Sequence, residues 1–551
     1  MRLLRVYIDG YRNLKNVMVD FDKDSLTTVV IGENGSGKSN LIEAIVEVFR
    51  AWTLGVQKEL RFKYSIFYSL RGIKIQIRSD ESQAFDTEKY PELKTHVRLD
   101  QRTTTKLPEI IANPDNPDDI VSSFFPDLIF GYYSGTGRRL ESLFDAHQAR
   151  YYDVISKQRP RVEYQIARDN RRLFYCRPNH GVLALLAYLA KPRGDDGPGE
   201  LLTSRLGITG FHSALALLKK PSWFKESHAA ALRETSSLWG AHGPANECGR
   251  GLRDTAFYPL ELEGSETVDY RRQSSKEAQL ACFLRDEAAL NKFAANYRTD
   301  QEMFAALEAM DIADLAREMI VWVTRTNDAS GDISFSDLSD GERQLLMVLG
   351  LIRVSRGKEA LFLLDEPDTH LNPAWQLTYL ELIREWTEVA TKGEEDKCQI
   401  IMTTHNPLTI AALTKKEVRV MQKGEDEQVT VSEPYADPRG LGFTSTLTEI
   451  FGLPTTLDPE TQKQIDERNQ LARIEERSEK QERLLIELND KLDRLGFMHE
   501  SRDPLYDDFL KAVQDYKYAD RPPMSQDQIE TRRLAMQALI KSLSEERGTA
   551  H

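Results

Sequence analysis

A glycine-rich octapeptide near the start of the chain carries the residue types that hold a phosphate group. Gly32–Ser39 reads GENGSGKS and fits the spacing G-x-x-x-x-G-K-[ST]. Glycines let backbone N–H groups turn inward around phosphate oxygens, a lysine reaches the β- and γ-phosphates, and a serine hydroxyl binds Mg²⁺. The predicted nucleotide ligands in and beside this loop are Asn34, Gly35, Gly37, Lys38, Ser39 and Asn40.

An acidic pair much later in the chain could serve a metal ion and a water molecule. The apolar run Ala360–Leu364 ends in Asp365 and Glu366. Two carboxylates at the end of a buried strand are costly unless they serve a cation or a water. We expect Asp365 to hold Mg²⁺, directly or through water, and Glu366 to polarise the water that attacks the γ-phosphate. The alternative, an acid that only starts a helix, does not account for the whole apolar-run-plus-DEP pattern.

A histidine ends the next apolar run, within the stretch Cys398–Pro407, directly after Thr403 and Thr404. A lone histidine is usually structural, but His405 comes one strand after the acidic pair and could reach a phosphate or the attacking water. We therefore predict Lys38, Glu366 and His405 as the catalytic residues.

The elements that position these residues follow from the flanking patterns. Thr27–Ile31 is a short β-branched run, and Leu41–Phe49 has helical spacing, so the phosphate loop joins a strand to a helix. The runs before Asp365 and His405 are apolar throughout, as in a parallel sheet covered on both faces. Ligands gather at the carboxyl ends of such strands. The predicted fold is α/β.

The segment LSDGERQ, from Leu338 to Gln344, is a polar loop that runs into an apolar helix, Arg343–Val354. Ser339 and Gly341 would lie at that helix's N-terminus, which favours an anion. No strand upstream gives this loop a nucleotide site of its own, so we expect it to share its anion with another site.

Together the four motifs resemble the ATP-binding-cassette ATPases, in their RecF and structural-maintenance-of-chromosomes branch. The resemblance covers residues 1–50 and 330–425. It implies ATP and Mg²⁺ as ligands and a dimer of two heads that sandwiches two ATP molecules. In that family the loop is usually LSGGQ or LSGGE, and here an aspartate replaces one glycine. By the resemblance, the signature residues that touch ATP in trans are Ser339, Asp340, Gly341 and Glu342.

Other residues follow from the resemblance alone. Arg12 and Asn13, in GYRNL, match the turn that flanks the nucleotide in this branch. Asp368 and His370 fall where the family has its dimer-contacting D-loop. The Q-loop glutamine of the family has no assigned counterpart, and Gln148 is the nearest glutamine to the expected place.

The predicted domains divide one ATPase head around an insertion. NPDNPDD, KPRGDDGPGE and AHGPANECGRG indicate loops and turns and exclude a long coiled-coil arm. GVLALLAYLA and REMIVWVTRT indicate packed elements. We expect a compact, mostly helical insertion. The predicted divisions are 1–50, the first part of the head with the phosphate loop; 51–330, the rest of that lobe and the insertion; 331–455, the second part of the head; and 456–551, a helical tail.

The tail has apolar residues at three-four spacing up to Leu495, which indicates a helix pair or short coiled coil, or one amphipathic helix on the head. DPLYDDFLKAVQDY and QIETRRLAMQALIKSL predict two further helices. We expect the tail to bind a partner. It is too short and too helical for the Toprim nuclease domain of the related OLD branch, and His499 and His551 form no HNH-like cluster. The chain is predicted to hydrolyse ATP without an intrinsic nuclease.

Composition limits the partners. The net charge of −14 argues against general attraction to nucleic acid or membranes. One segment, 157–178, interleaves arginines with tyrosines and a phenylalanine, which suits a nucleic-acid strand or, equally, a solvated amphipathic surface. Four cysteines without CxxC spacing and the lack of a signal sequence favour the cytoplasm.

The mixture of head, compact insertion, FGLP segment and short tail resembles the ATPases of Septu anti-phage defence systems, which also accompany retrons. That resemblance implies a PtuB-like HNH nuclease as partner, besides self-association, and in retron versions a reverse transcriptase with its RNA–DNA product (msDNA). Two alternatives stay open: a RecF-like repair or recombination ATPase that acts on DNA directly, and a scaffold in which ATP is structural.

Overall fold

The computed structural model describes most of the chain. The described residues are 1–79, 97–102, 104, 111–113, 116–121, 124–190, 198–224, 235–266, 275–326, 328–354, 358–391, 398–424, 426–453, 455–474 and 477–495. The chain divides into two compact units, Met1–Pro454 and Thr455–His551. The helices predicted at 503–516 and 528–543 lie outside the described residues.

The strands, in chain order, are β1 (Arg2–Asp9), β2 (Val17–Asp20), β3 (Thr27–Gly32), β4 (Lys63–Leu70), β5 (Ile73–Arg78), β6 (Val97–Asp100), β7 (Ile111–Asn113), β8 (Asn116–Val121), β9 (Leu128–Tyr133), β10 (Leu173–Tyr175), β11 (Ile208–Lys219), β12 (Leu260–Glu266), β13 (Ser275–Leu284), β14 (Ala316–Arg325), β15 (Asp328–Ser334), β16 (Ala360–Asp365), β17 (Cys398–Thr403), β18 (Val418–Lys423) and β19 (Val429–Ser432).

The helices are α1 (Lys38–Leu54), α2 (Asp145–Ile155), α3 (Arg161–Asp169), α4 (Pro178–Ala190), α5 (Pro198–Leu206), α6 (Gly243–Thr255), α7 (Glu287–Ala294), α8 (Asp300–Ile312), α9 (Asp340–Val354), α10 (Pro373–Thr391), α11 (Pro407–Ile410), α12 (Gly442–Ser445), α13 (Pro459–Ala472) and α14 (Glu479–Arg494). Within the described ranges, none of them is both long and apolar enough to cross a membrane.

The central sheet has seven strands in the order β10-β9-β16-β17-β3-β18-β19. All neighbours pair in parallel except β18 and β19, which are antiparallel. In register, Asp365 lies beside Thr403, and Thr403 lies beside Val30. The strand that ends in Asp365, the strand that leads to His405 and the strand of the phosphate loop therefore end at one edge, as the sequence patterns predict.

Two apolar cores cover the two faces of this sheet. Along β3, Val29 and Ile31 belong to one core and Val30 to the other. Along β16, Phe362 and Leu364 face the first core, while their neighbours in the strand face the second. Since side chains alternate across a strand and both sides are buried, the strand sequences are apolar throughout. This explains why the runs before the predicted site residues show no polar alternation. The α/β class is confirmed.

The segment after α1 was predicted to be mostly helical, and this prediction is wrong. It is mixed rather than mostly helical, because β4, β5 and β6 extend a five-stranded sheet that begins with β2 and β1, and β12-β13-β11-β14-β15 form another. The predicted packed segment REMIVWVTRT is strand β14, and GVLALLAYLA is helix α4. The strands of the second sheet pair over long sequence separations, which local patterns do not reveal.

Two of the predicted loops form regular structure. AHGPANECGRG enters helix α6, where Pro244 occupies the first turn and Ala245, Cys248 and Leu252 are buried. Proline is well tolerated at the start of a helix, so there it does not signal a turn. NPDNPDD contributes to β7 and β8, which pair as a two-stranded sheet.

The second unit contains the helices α13 and α14. Asp458 caps α13 by accepting hydrogen bonds from the backbone N–H groups of Glu460 and Thr461. Lys491 of α14 forms an ion pair with Glu460 at 3.4 Å, and Leu488 and Leu492 are buried. These contacts describe a helix pair within this unit.

Candidate functional site

The phosphate loop lies between β3 and α1 and has a backbone that only glycine adopts readily. Gly35 has φ of +83° and Gly37 has φ of +105°. A Cβ atom on Gly32 would come within 2.2 Å of the Met421 carbonyl oxygen, and one on Gly37 within 2.8 Å of Leu14. No atom of the described residues lies within 4 Å of a Cβ built on Gly35, so the loop is open to them on that side. The conformation and the open side suit a loop that wraps an anion.

Lys38 opens helix α1 and folds back over the loop. Its Nζ donates hydrogen bonds to the carbonyl oxygens of Gly32, at 2.7 Å, and Glu33, at 3.1 Å. Burial lowers the pKa of this lysine, while the nearby carboxylates Glu366 and Asp365 oppose the shift. A buried ammonium bonded only to neutral carbonyls has strong affinity for a further anion.

Asp365 meets the phosphate loop across the sheet edge. Its Oδ1 accepts a hydrogen bond from Ser39 Oγ at 3.1 Å and another from Thr403 Oγ1. Only 3 % of Asp365 is exposed, and this burial raises its pKa, against the effect of the two hydroxyl donors. A serine hydroxyl and a carboxylate oxygen, both hard oxygen donors, therefore face the same point, as a Mg²⁺ ligand pair requires.

Glu366 and His405 form the second pair at this edge. His405 Nδ1 lies 3.2 Å from Glu366 Oε1. Glu366 has φ of +52°, an uncommon conformation for a residue with a side chain, and its N–H donates to Thr403 O and Thr403 Oγ1, both at 3.1 Å. Backbone strain fixed by two hydrogen bonds is frequent at functional sites. The side chain keeps 27 % of its surface exposed, so water can reach it.

Asp368 occupies a buried place behind the pair. Its Oδ2 accepts hydrogen bonds from Thr404 Oγ1, at 2.7 Å, and from Thr409 Oγ1. Burial raises the pKa of Asp368. These contacts tie the segment after Glu366 to the segment after β17, so Asp368 supports the shape of the site from within one chain.

An arginine pair converges on helix α1 beside the loop. Arg12 contacts Glu43 at 2.6 Å, and Arg139 contacts the same carboxylate at 3.0 Å. Both arginines also donate to Asn40 Oδ1, at 3.2 and 2.7 Å. Asn13 accepts a hydrogen bond from Asn40 Nδ2 at 2.6 Å. The predicted Arg12, Asn13 and Asn40 therefore lie together.

Sequence reasoning missed Glu43 and Arg139. Glu43 is 3 % exposed on a helix face that is otherwise apolar. An acidic residue within such a face was the available signal, since a buried carboxylate requires cationic partners. Arg139 shows no local pattern, because it reaches α1 only through the tertiary fold.

Asn34 and Gln148 contribute less to this arrangement. Asn34 is exposed in the loop. Gln148 lies in α2 and is half-buried, with its backbone N–H bonded to the Phe144 carbonyl oxygen. Among the described residues, Gln148 has no side-chain bond to the phosphate loop.

The LSDGE loop begins helix α9 and caps it with its own side chains. Ser339 N–H donates to Glu342 Oε2 at 2.8 Å and Ser339 Oγ donates to the same oxygen at 2.9 Å, while Glu342 N–H donates to Ser339 Oγ at 3.3 Å. This is a capping box. Glu342 also accepts from Arg325, and Asp340 accepts from Arg343.

The same loop lies against the segment after Asp368. A Cβ on Gly341 would come within 2.8 Å of the His370 carbonyl oxygen, and His370 N–H donates to Gln344 Oε1 at 3.3 Å. Across the part of the chain that the structure describes, Ser339 and Glu342 form no bond with the phosphate loop. The structure thus brings Lys38, Ser39, Asp365, Glu366 and His405 together, and leaves the signature residues elsewhere in the chain.

The residues fit a nucleotide with Mg²⁺. The loop is open at Gly35, Lys38 Nζ donates to backbone carbonyl oxygens, and Ser39 Oγ faces a carboxylate oxygen. Outside the residues left undescribed, no group of three or more histidine, cysteine, aspartate or glutamate side chains forms a metal site. A cation at Ser39 and Asp365 would therefore need further oxygen ligands from the nucleotide or water, as Mg²⁺ does in kinases and ATPases.

Fold and site define an α/β ATPase of the P-loop class. A family model described as "AAA ATPase domain" matches residues 1–117, and one described as "AAA domain, putative AbiEii toxin, Type IV TA system" matches residues 117–411. The second match spans more than half of the chain. The chain belongs to this AAA-domain family.

Curated relatives come from bacterial defence systems. The chain is 28 % identical over 166 residues to Septu protein PtuA of Bacillus mycoides (strain KBAB4), which is 29 % of this chain and 22 % of that protein. It is 30 % identical over 165 residues to Septu protein PtuA of Bacillus thuringiensis, 26 % of this chain and 40 % of that protein. It is 24 % identical over 127 residues to "Retron Vc95 probable ATPase" of Vibrio cholerae serotype O1 biovar El Tor, 21 % of this chain and 23 % of that protein. The matches therefore span less than half the length of each relative.

Smc head domains are among the solved structures that align with the chain. One, bound to the C-winged helix domain of ScpA, aligns over 78 % of this chain and 97 % of its own, with 13 % identity and a TM-score of 0.30. Another, from Pyrococcus furiosus with an extended coiled coil, has 13 % identity and a TM-score of 0.29, over 78 % of this chain and 96 % of its own. Scores this low support no conclusion about this chain.

Proposed function

We propose that the chain binds and hydrolyses ATP as the ATPase subunit of an anti-phage defence complex and thereby controls a separate nuclease. The observation that carries the ATPase part is the junction at the sheet edge, where Ser39 bonds Asp365 and Glu366 contacts His405. The defence context rests on the similarity to the Septu and retron proteins.

The site residues have separable roles in this proposal. The loop amides and Lys38 bind the phosphates, and Ser39 and Asp365 hold Mg²⁺, which neutralises phosphate charge when bound. Glu366 orients the attacking water and takes its proton. His405, in contact with the Glu366 carboxylate at 3.2 Å, holds that side chain toward the water and stabilises charge near the phosphate. Arg12 and Asn13 flank the nucleotide beside Asn40.

We place the signature residues Ser339, Asp340, Gly341 and Glu342 at the ATP of a second copy of the chain. Their position at the start of α9, apart from the phosphate loop of the same chain, supports this placement. ATP would then join two heads, and its hydrolysis would release them. The chain's partners in the proposal are a second copy, a PtuB-like HNH nuclease and, in a retron setting, a reverse transcriptase with its RNA–DNA product.

The Glu366→Gln variant tests the proposal. Gln keeps the size of the side chain but cannot take a proton, so ATP turnover should fall about 10²–10⁴-fold, the usual contribution of a general base. ATP binding should persist, and the variant should accumulate as an ATP-bound dimer in size-exclusion chromatography with light scattering. Glu479→Gln, at a position 95 % exposed in α14, is the matched control and should behave as the unaltered chain.

A nuclease assay with the purified complex completes this test. If Glu366→Gln neither slows turnover nor alters the activity of a co-purified nuclease, ATP serves only as a structural ligand and the proposal is wrong. DNA-stimulated turnover by the chain alone, with no nuclease partner, would instead support direct action on DNA.

A further inference from the structure

A cleft far along the chain from the phosphate loop has the lining of a ligand site. It has a volume of about 430 Å³, within the range of small-molecule pockets. It lies among α2, α3, α6, α8 and the turn before α8. Three tyrosines and three arginines line it: Tyr151, Tyr164, Tyr297, Arg161, Arg168 and Arg298.

Two of the three tyrosines are held in place by contacts within the chain. Tyr164 is 9 % exposed, its hydroxyl donates to the Lys157 carbonyl oxygen and accepts from Arg159 N–H, both at 2.8 Å, and its ring lies against Gly243. Tyr151 has the Arg171 guanidinium 5.3 Å from its ring centroid, and burial raises its pKa to about 12. Rigid aromatic walls offer flat apolar surface at low entropic cost.

The three arginines of the cleft are exposed and form few ion pairs with the described residues. Arg161 and Arg298 form no ion pair with a described residue, and Arg168 contacts Asp169 at 3.3 Å with 46 % of its side chain exposed. Guanidinium groups bind phosphate through two parallel hydrogen bonds and also stack on planar rings. The cleft therefore presents cations for a phosphate next to surface for a ring.

Two carboxylates and two amides also line the cleft, and their chemistry restricts the class of ligand that it could bind. Glu247, Glu302, Gln165 and Asn296 also face the cleft. Carboxylates would repel a simple inorganic anion, but they accept hydrogen bonds from ribose hydroxyls and base amino groups. Amides recognise the edges of bases. The combination suits a ligand with an anionic end, a sugar and a ring with polar edges.

We propose that this cleft binds a nucleoside phosphate unit, either as a free nucleotide or within a single-stranded nucleic acid. Arginines would hold the phosphate, and the tyrosine-lined interior would take the base. The segment 157–178, which offers both a nucleic-acid and a solvated-surface interpretation from sequence, supplies Arg161, Tyr164 and Arg168. The cleft shares no residue with the ATP site, so this inference does not depend on the proposed function.

The test uses the full chain without added ATP, which would itself compete for a nucleotide site. A parallel sample with Lys38→Ala identifies any probe binding at the phosphate loop. A fluorescent, 5′-phosphorylated oligothymidylate of about ten nucleotides, within the usual site sizes for single strands, is titrated by anisotropy at several salt concentrations. Unlabelled thymidine monophosphate competes in a second arm. Competition by the mononucleotide at concentrations near those of the oligonucleotide identifies free nucleotide as the ligand, and competition by the oligonucleotide alone identifies a strand.

The double variant Arg161→Glu/Arg168→Glu should weaken oligonucleotide binding at least about tenfold. It should also reduce the slope of log K against log salt by about 1.4, because each contact with a single-strand phosphate contributes about 0.7. Arg285→Glu/Arg483→Glu makes the same charge change at positions 60 % and 83 % exposed outside the cleft, and should bind normally.

A variant without charge change excludes a general electrostatic effect. Gln165→Trp fills the cleft from an exposed position of α3 and should weaken binding comparably. If neither probe binds the unaltered chain, or if the cleft variants bind as tightly as the control, the inference is wrong. Normal ATP turnover of all these variants shows that they fold and that the result concerns the cleft alone.

Discussion

Two loops of similar composition precede two helices, and the helix starts are satisfied in different ways. Helix α1 has Gly37 as its N-cap, with no side-chain cap and no acidic residue in its first turn. Helix α9 has Asp340 and Glu342 in its first turn, and Glu342 bonds the Ser339 hydroxyl and N–H. The N-terminus of α1 has no anionic side chain of its own helix beside it, whereas the N-terminus of α9 has the Glu342 carboxylate.

This difference in capping affects how each loop could bind ATP. The N-terminus of a helix attracts negative charge. At α1 the helix itself carries no capping side chain and no acid in its first turn, so we expect a bound phosphate to supply that charge. At α9 the chain's own carboxylate supplies it, so in the proposed trans contact Ser339 would have to exchange Glu342 for a phosphate. A capping interaction is worth about 1 kcal/mol, which a new phosphate contact can offset.

Among changes that test this comparison of the two helix starts, the largest effect is expected from Lys38→Ala. This change removes the buried cation that opens α1, and an electrostatic contact of this kind contributes about 10²–10³-fold to turnover. ATP hydrolysis and ATP-dependent dimerisation should both fall, as measured by phosphate release and light scattering. Lys423→Ala, on an exposed lysine at the end of β18, is the control. Unchanged turnover would mean that the N-terminus of α1 does not bind the phosphates of ATP.

Ser339→Arg should separate binding from association. The serine is exposed, and its hydroxyl bonds Glu342 at the start of the same helix, so the long cation should block a partner's ATP without altering the phosphate loop. ATP affinity by calorimetry should stay within about twofold, while ATP-dependent dimerisation weakens at least about 100-fold, or about 3 kcal/mol. A variant that dimerises and hydrolyses ATP normally would refute the role in trans.

The C-terminal end of α1 contacts a buried histidine, and the burial of this histidine makes the stability of the fold depend on pH. Thr53 Oγ1 lies 3.0 Å from His147 Nε2, and burial, with help from nearby arginines, lowers the pKa of His147 to about 4. Below about pH 6.5, His147 binds a proton in the unfolded chain but stays neutral in the folded chain. The free energy of unfolding is therefore higher at neutral pH and decreases as the pH falls toward 4. The loss is up to about 3 kcal/mol.

His147→Gln removes this titration. The melting temperature of the variant should lie below that of the unaltered chain at pH 7, and the gap should close as the pH falls to 4. His212→Gln, at a histidine in β11, is the control, and its melting curve should follow that of the unaltered chain. Parallel curves for His147→Gln across the pH range would show that His147 does not link acid and stability.

Glu342→Gln addresses the capping box itself and should have the smallest effect. Gln keeps the hydrogen bonds to Ser339 but removes the charge that opposes an incoming phosphate. Stability should change by less than about 1 kcal/mol, while ATP-dependent dimerisation should strengthen a few-fold. The exposed Glu479→Gln change serves again as the control. Weaker dimerisation would indicate that the carboxylate favours, rather than opposes, the trans contact.

The site was predictable where chemistry depends on neighbouring residues in the chain. The phosphate loop needs glycines at fixed spacing because the backbone itself binds, so Gly35, Gly37 and Lys38 show in the sequence. The apolar strands before Asp365 and His405 show because both faces of a parallel sheet are buried. The site roles assigned to these residues await the experiments above.

Glu43 and Arg139 were not predictable in the same way. Their contact at 3.0 Å joins positions far apart in the chain, and neither has a local motif. The five-stranded sheet around β11 also escaped prediction, because its pairing depends on distant strands rather than local pattern.

The sequence by itself determined the α/β class, the order of the motifs and the glycine loop between β3 and α1, because short-range spacing dictates strand, turn and helix. Only the tertiary structure decided that Ser39 bonds Asp365 and that the tyrosines and arginines of α2, α3 and the turn before α8 line one cleft. It also decided which partner the Ser339 hydroxyl takes. Such contacts depend on how whole elements pack, and packing energies sum over many residues that no local pattern records.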